Sequence, residues 1–180
     1  MLYNFIFIFL AFLMDGVLNT LFPAQFAFES MYFVPCIGLC SLVITVRKME
    51  VKEAIILVLL FGLGYDFFYG NTIFFYTIVF LLVFVISMIW AKVVNESILE
   101  SVVLCISTVF TKEFMVYLFM RITSQTTIGF NTFATNRLFL TILVNTLLVS
   151  LLVVAGYIKD DLQKRKEVRI RREERLPWLH

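Results

Sequence analysis

Four ionisable side chains lie in stretches that are otherwise apolar: Asp15, Asp66, Lys112 and Glu113. A charge near the centre of a bilayer costs about 2.5–3.5 kcal/mol on insertion scales, so such residues are functional candidates by default. Three chemistries fit these residue types. Two carboxylates at one depth could share a proton. A carboxylate and an ammonium could neutralise one another across helices. A polar groove could receive a partner helix or a lipid-linked substrate. Metal and thiol chemistry find less support. Cys36 and Cys40 stand one helical turn apart but have no histidine near them, the single His being His180, and Cys105 also lies in an apolar run. All three therefore read as small packing hydrophobes. No Ser/His or Cys/His pair falls within the apolar stretches, so no catalytic, cofactor or metal site is expected.

The elements that must position these residues follow from composition. Hydrophobic residues are 61% of the 180, 21 residues are Phe, and only 16% are charged. Soluble domains run nearer half apolar and a quarter charged. The charges are also unevenly spread: residues 159–180 hold 13 of the 28, leaving 15 for the first 158 residues. That is too few to solvate a soluble surface, which excludes soluble globular, disordered and disulfide-scaffold classes. Six segments are long and apolar enough to be spans, at about 2–22, 31–46, 53–69, 73–91, 98–120 and 138–158. Strand-type alternation is absent, so the expected class is an all-α polytopic membrane protein with six transmembrane helices. Its transmembrane domain is 1–158, and 159–180 forms a charged cytoplasmic tail. Met1-Leu2-Tyr3-Asn4 lacks a basic region and the following apolar run reaches Phe22, which favours an uncleaved first span over a signal peptide.

Basic residues set the orientation. With six spans and the tail inside, Arg47, Lys48, Lys52 and Lys92 join eight basic residues of the tail on the inner side, and only Arg121 and Arg137 fall outside. Both termini are then cytoplasmic. Within the tail, Asp160/Lys164, Asp161/Arg165 and Glu167/Arg171 are spaced as i, i+4 pairs, favouring a solvated helix that continues from the last span and touches anionic lipid. The net charge of +2 implies no nucleic-acid partner.

On this layout Asp15, Asp66 and Lys112 each lie about 20 Å of helical rise from the inner end of their spans. Ala11, Asp15 and Asn19 share a helix face, as do Gly62, Asp66 and Gly70, then Ser101, Cys105, Thr108 and Lys112, then Arg137, Thr141 and Asn145. The expectation is a polar core of Asp15, Asp66, Lys112, Glu113 and Asn145 near the outer leaflet, with Lys112 compensating one or both aspartates. Gly62, Gly70 and Cys105 would allow close helix approach. Gly62-Leu63-Gly64-Tyr65-Asp66 superficially resembles the motifs of intramembrane aspartyl proteases, but Tyr65 interrupts the Gly-x-Gly-Asp spacing and Lys112 would keep an aspartate ionised.

A closer resemblance covers most of the chain. Phe61-Gly62-Leu63-Gly64-Tyr65-Asp66-Phe67-Phe68-Tyr69-Gly70, with Arg47-Lys48 before it, resembles the Gly-Leu-x-x-Asp segment of MreD, the bacterial rod shape-determining membrane protein. Gly129-Phe130-Asn131-Thr132-Phe133, followed by Arg137 and Thr141-Ile142-Leu143-Val144-Asn145, is similar to the end of Gram-positive MreD proteins. The resemblance implies a non-enzymatic, multi-pass subunit of the bacterial plasma membrane. It would serve cell shape and lateral peptidoglycan synthesis, with MreC as direct partner and MreB, RodA and a class B penicillin-binding protein in the same complex. The outer loop bounded by Arg121 and Arg137 would be the extracytoplasmic contact. The alternative is a substrate-binding subunit similar to the S components of energy-coupling-factor transporters. Those usually carry an Ala-x-x-x-Ala face on the first helix, whereas here Ala11 is followed at i+4 by Asp15.

Overall fold

The computed structural model describes residues 2–22, 31–69, 74–91 and 97–175. Among these every regular element is helical: α1 (Leu2–Leu21), α2 (Ile37–Val46), α3 (Val51–Tyr69), α4 (Phe75–Ala91), α5 (Ile98–Ile122), a single turn α6 (Phe130–Phe133), a π-helical turn Ala134–Leu138, and α7 (Phe139–Arg175). Three helices are long and apolar enough to cross a membrane: Tyr3–Leu21, Ile98–Ile122 and the continuous run Phe130–Lys166. Gly70 and Lys92, to which the sequence assigned packing and topology roles, lie outside the described residues.

The chain reverses direction at each long element. Lys159 reaches Asn4 at 2.9 Å and Lys48 reaches Asp160 at 2.6 Å, so the start of α1, the end of α2 and residues 159–160 of α7 share one end of the bundle. At the opposite end, the Phe22 and Phe33 rings meet at 5.4 Å, and the Tyr117 hydroxyl donates to the Ile128 carbonyl. α1, α3 and α5 run outward from the first end, and α2, α4 and α7 return to it.

α2 is the axis of the fold. It packs against α1, α3, α4, α5 and α7, and all ten of its residues are buried. A helix apolar on every side belongs inside the protein, and α2 reads Ile37-Gly38-Leu39-Cys40-Ser41-Leu42-Val43-Ile44-Thr45-Val46. It joins two apolar clusters. Leu39, Leu42 and Val43 pack with Phe61, Val79, Phe80 and Leu104, while Ile37, Cys40 and Ile44 pack with Val109, Phe133 and Val149. By contrast α1 turns Phe9, Leu10, Leu13, Met14 and Val17 outward, an apolar surface suited to lipid.

Two local differences from the sequence expectation matter for the site. The second segment, expected as helix from about 31, is not helical through residues 31–36. Pro35 explains this: it has no N–H to donate and disfavours the α conformation at Val34. The last segment, expected from 138, begins at Phe130, so much of the supposed loop between Arg121 and Arg137 is helix. A capping box starts α5, with the Ser97 side chain accepting from the Glu100 amide and Glu100 reaching back to the Ser97 amide.

Candidate functional site

A helix that begins in a protein interior exposes up to four N–H groups without intrahelical partners. Each buried amide left bare costs free energy comparable to a lost hydrogen bond. α2 meets this problem first, because residues 31–36 before it are not helical and all ten of its own residues are buried. Asp15 of α1 solves it. Its Oδ1 accepts from the Ile37 amide at 2.8 Å and its Oδ2 from the Gly38 amide at 2.8 Å, the first two amides of α2. The approach is close: a Cβ on Gly38 would stand 2.7 Å from the Phe12 ring and 2.9 Å from Asp15 Oδ2. Glycine at 38 is what lets the carboxylate reach the helix end.

Asp66 repeats the device in the next hairpin. Oδ1 accepts from the Tyr76 amide at 2.8 Å, and Oδ2 from the Thr77 amide at 2.9 Å and the Thr77 hydroxyl at 2.6 Å. These amides open α4. Phe74, just before it, holds a left-handed φ of 64°, unusual for a bulky side chain. α3 and α4 touch where Gly62 faces Thr77, since a Cβ on Gly62 would lie 2.9 Å from Thr77 Cα.

In the third hairpin the acid is Glu113, and its partner is a side chain. Lys112 Nζ donates to Glu113 Oε1 at 2.8 Å and Arg137 Nε to Glu113 Oε2 at 2.5 Å, with the three side chains at most 5% exposed. Lys112 and Glu113 are sequence neighbours pointing about 100° apart around α5, and the long lysine stem closes the gap. Lys112 Nζ also lies 3.4 Å from Cys36 Sγ and faces the rings of Tyr65 and Tyr76 at 5.8 and 6.0 Å from their centroids. Arg137 Nη1 donates to the Tyr32 hydroxyl at 3.0 Å.

The backbone of the non-helical residues 31–36 is held by groups of the last helical run. The Tyr32 amide donates to the Asn136 carbonyl at 3.1 Å, and the Val34 amide to Thr141 Oγ1 at 3.1 Å. Asn145 Nδ2 donates to the Val34 carbonyl at 2.8 Å, and Asn145 Oδ1 accepts from the Cys36 amide at 2.9 Å. The π-helical turn Ala134–Leu138 carries both Asn136, whose carbonyl receives Tyr32, and the inward-turned Arg137. π-turns of this kind interrupt the α ladder and concentrate at functional sites.

The structure therefore brings Asp15, Asp66, Lys112, Glu113 and Asn145 into the buried interior, but with different partners from those expected. Lys112 pairs with Glu113 rather than with either aspartate, because two helix N-termini, each worth about half a positive charge, already balance the aspartates. Asp15 and Asp66 bond different helices, and no hydrogen bond joins the two carboxylates among the described residues. Arg137, expected at an outer-loop contact surface, is instead buried at 4% exposure and closes the ion triad. A guanidinium on an apolar helix must turn inward to find a counter-charge. Arg121 is exposed in the last turn of α5. Cys105 packs on α2, its Sγ 3.9 Å from the Cys40 carbonyl, with Cys40 Sγ reciprocally 3.9 Å from the Cys105 carbonyl. In the tail helix Asp161 and Arg165 pair at 2.8 Å, whereas Asp160 turns from Lys164 to Lys48 and Lys159.

Tyr32, Gly38 and Thr77 belong to the site and were not among the expected residues. Pro35 was the available signal for the first two, since a proline-broken span must begin its helix late and needs a cap. Thr77 carried no comparable sequence signal. No known protein family, characterised protein or solved structure matches this chain.

Proposed function

We propose that this chain is a multi-pass protein of the bacterial plasma membrane, crossing six times with both termini in the cytoplasm. On this reading it acts as a non-enzymatic MreD-like subunit of the cell-elongation complex, giving an MreC-type partner its seat in the membrane. The observation that carries the reading is that every buried acid among the described residues is committed to structure, two to helix starts and one to an ion triad. Asp15 and Asp66 hold backbone amides and Glu113 holds Arg137. Charges fixed in this way build a rigid interior and leave the apolar outer faces for other helices.

The six-crossing topology draws support from the chain path. Residues 31–46 need not be one long helix to cross: ten helical residues rise about 15 Å, and six non-helical ones can add up to about 20 Å at full extension, enough together for ~30 Å of hydrocarbon. Lys48, Lys159, Lys164 and Lys166 gather at the end where α1 begins, which suits a cytoplasmic face.

Site-specific photocrosslinking from the exposed positions Phe9, Leu13 and Arg121 in living cells tests the partner. Crosslinks to the MreC homologue, with rounding of cells on depletion, are expected. A chain that neither crosslinks to MreC nor alters cell shape would refute the assignment. A small vitamin retained through purification would favour the transporter-subunit alternative instead.

A further inference from the structure

At the end of the bundle where α1 starts and α7 leaves its apolar stretch, a polar cavity of about 370 Å³ opens between α1, α2 and α7. Asn4, Thr45, Lys48, Lys159, Asp160 and Lys164 line it. Three ammonium groups and one carboxylate leave it with a formal charge of +2. Asp160 engages Lys48 at 2.6 Å and Lys159 at 3.2 Å, and Lys159 also donates to Asn4 at 2.9 Å.

Thr45 supplies the second observation. It is 2% exposed, it lines this cavity, and its hydroxyl has no hydrogen-bond partner among the described residues. A buried threonine in a helix ordinarily donates to a carbonyl one turn back, as Thr146 does to Ile142. A buried hydroxyl without a partner is costly, and Thr45 borders a basic cleft with that donor uncommitted. Beside this cleft, across Lys159, lies a second cavity of about 400 Å³ lined by Tyr3, Ala155, Ile158, Leu162 and Lys166. Its apolar lining runs along α7, and Lys166 closes it by donating to the Tyr3 hydroxyl at 2.7 Å.

We infer that the polar cleft binds a phosphate-bearing anion, and that the adjoining apolar cavity makes an anionic phospholipid its source. The phosphate accepts from the Thr45 hydroxyl and the lysine ammoniums, Lys48 and Lys159 being shared with Asp160. The upper acyl chain lies against Ile158 and Leu162. The lipid would then tie the start of α1 and the end of α2 to α7.

The test uses the purified full-length chain in nanodiscs of phosphatidylcholine alone, of phosphatidylcholine with phosphatidylglycerol, and of phosphatidylcholine with added inorganic phosphate. Thermal unfolding is followed by circular dichroism, and retained lipid by native mass spectrometry. Phosphatidylglycerol should raise Tm and be retained. Thr45→Val, which removes no charge, should not lower Tm in phosphatidylcholine, yet should weaken phosphatidylglycerol binding about tenfold, or ~1.4 kcal/mol. The exposed Lys164→Gln should weaken it about fivefold, the scale for one lysine at an anionic surface. Wild-type affinity in both variants would overturn the site. Stabilisation by inorganic phosphate with no added effect or retention of phosphatidylglycerol would overturn the lipid as its source.

Discussion

Glu113→Gln removes the shared anion of the buried triad while leaving the side-chain volume almost unchanged. The Gln oxygen can still accept from one cation, but the other of the two charge-assisted bonds, from Lys112 at 2.8 Å and Arg137 at 2.5 Å, meets an amide N–H2, and both cations lose their counter-charge. Each such bond is worth about 1.5–3 kcal/mol, and removing one partner of a buried ion pair costs about 3–5 kcal/mol because a charge is left uncompensated. Lys112 would retain the Cys36 thiol and the faces of Tyr65 and Tyr76, all neutral groups. Hydrogen bonds between membrane helices average only about 0.6 kcal/mol, since the unfolded chain in lipid also finds partners. The two magnitudes decide between a stranded buried charge and an ordinary polar contact. Reversible unfolding in mixed micelles by SDS titration should give a loss of about 3–5 kcal/mol for Glu113→Gln. The triple variant Lys112→Met, Glu113→Leu, Arg137→Met should recover most of it, because apolar replacement of a whole buried ion cluster is often neutral or stabilising. A loss near 0.6 kcal/mol for Glu113→Gln, or no recovery in the triple variant, would refute the triad as a charge-coupled unit.

Three further outcomes follow from the geometry. Asp66→Ala bares the Tyr76 and Thr77 amides and should lower the yield of folded protein, and Lys112→Met should fail to rescue it; rescue in a double-mutant cycle would mean that Lys112 and Asp66 are paired after all. Gly62→Ala should destabilise by about 1–3 kcal/mol, because the new methyl meets the Thr77 backbone at 2.9 Å, while Gly64→Ala, with nothing within 4 Å, should stabilise by about 0.5–1 kcal/mol; parallel SDS titrations compare them. Asp160 lies beyond the apolar stretch, and although burial raises its pKa, the Lys48 hydrogen bond and the charge of Lys159 overcome this and hold it below the ordinary 3.8. Its contribution to stability is therefore complete above pH 3.8 and fades as the pH falls below that value. Lys48→Met should flatten this acid-range dependence in thermal melts between pH 6 and 3, and an unchanged profile would count against the contact.

The apolar composition and the length of the apolar segments determined a helical chain whose few interior charges had to face inward. Those are local and additive properties: a run of phenylalanine and leucine is apolar wherever it sits, and an i, i+4 stripe shares a face in any helix. Pro35 offered a signal of a late helix start, although the place of that helix at the centre of the bundle was not legible. The partners of the charges were decided only by tertiary structure. The Val34 and Cys36 amides are satisfied by Thr141 and Asn145, more than a hundred residues away, and the π-turn that carries Arg137 inward has no mark in Ala134-Thr135-Asn136-Arg137-Leu138. In lipid a bare amide competes for a carboxylate as strongly as an ammonium does. Which of the two an aspartate finds depends on where a helix begins, and that is set by the packing of the whole bundle around α2.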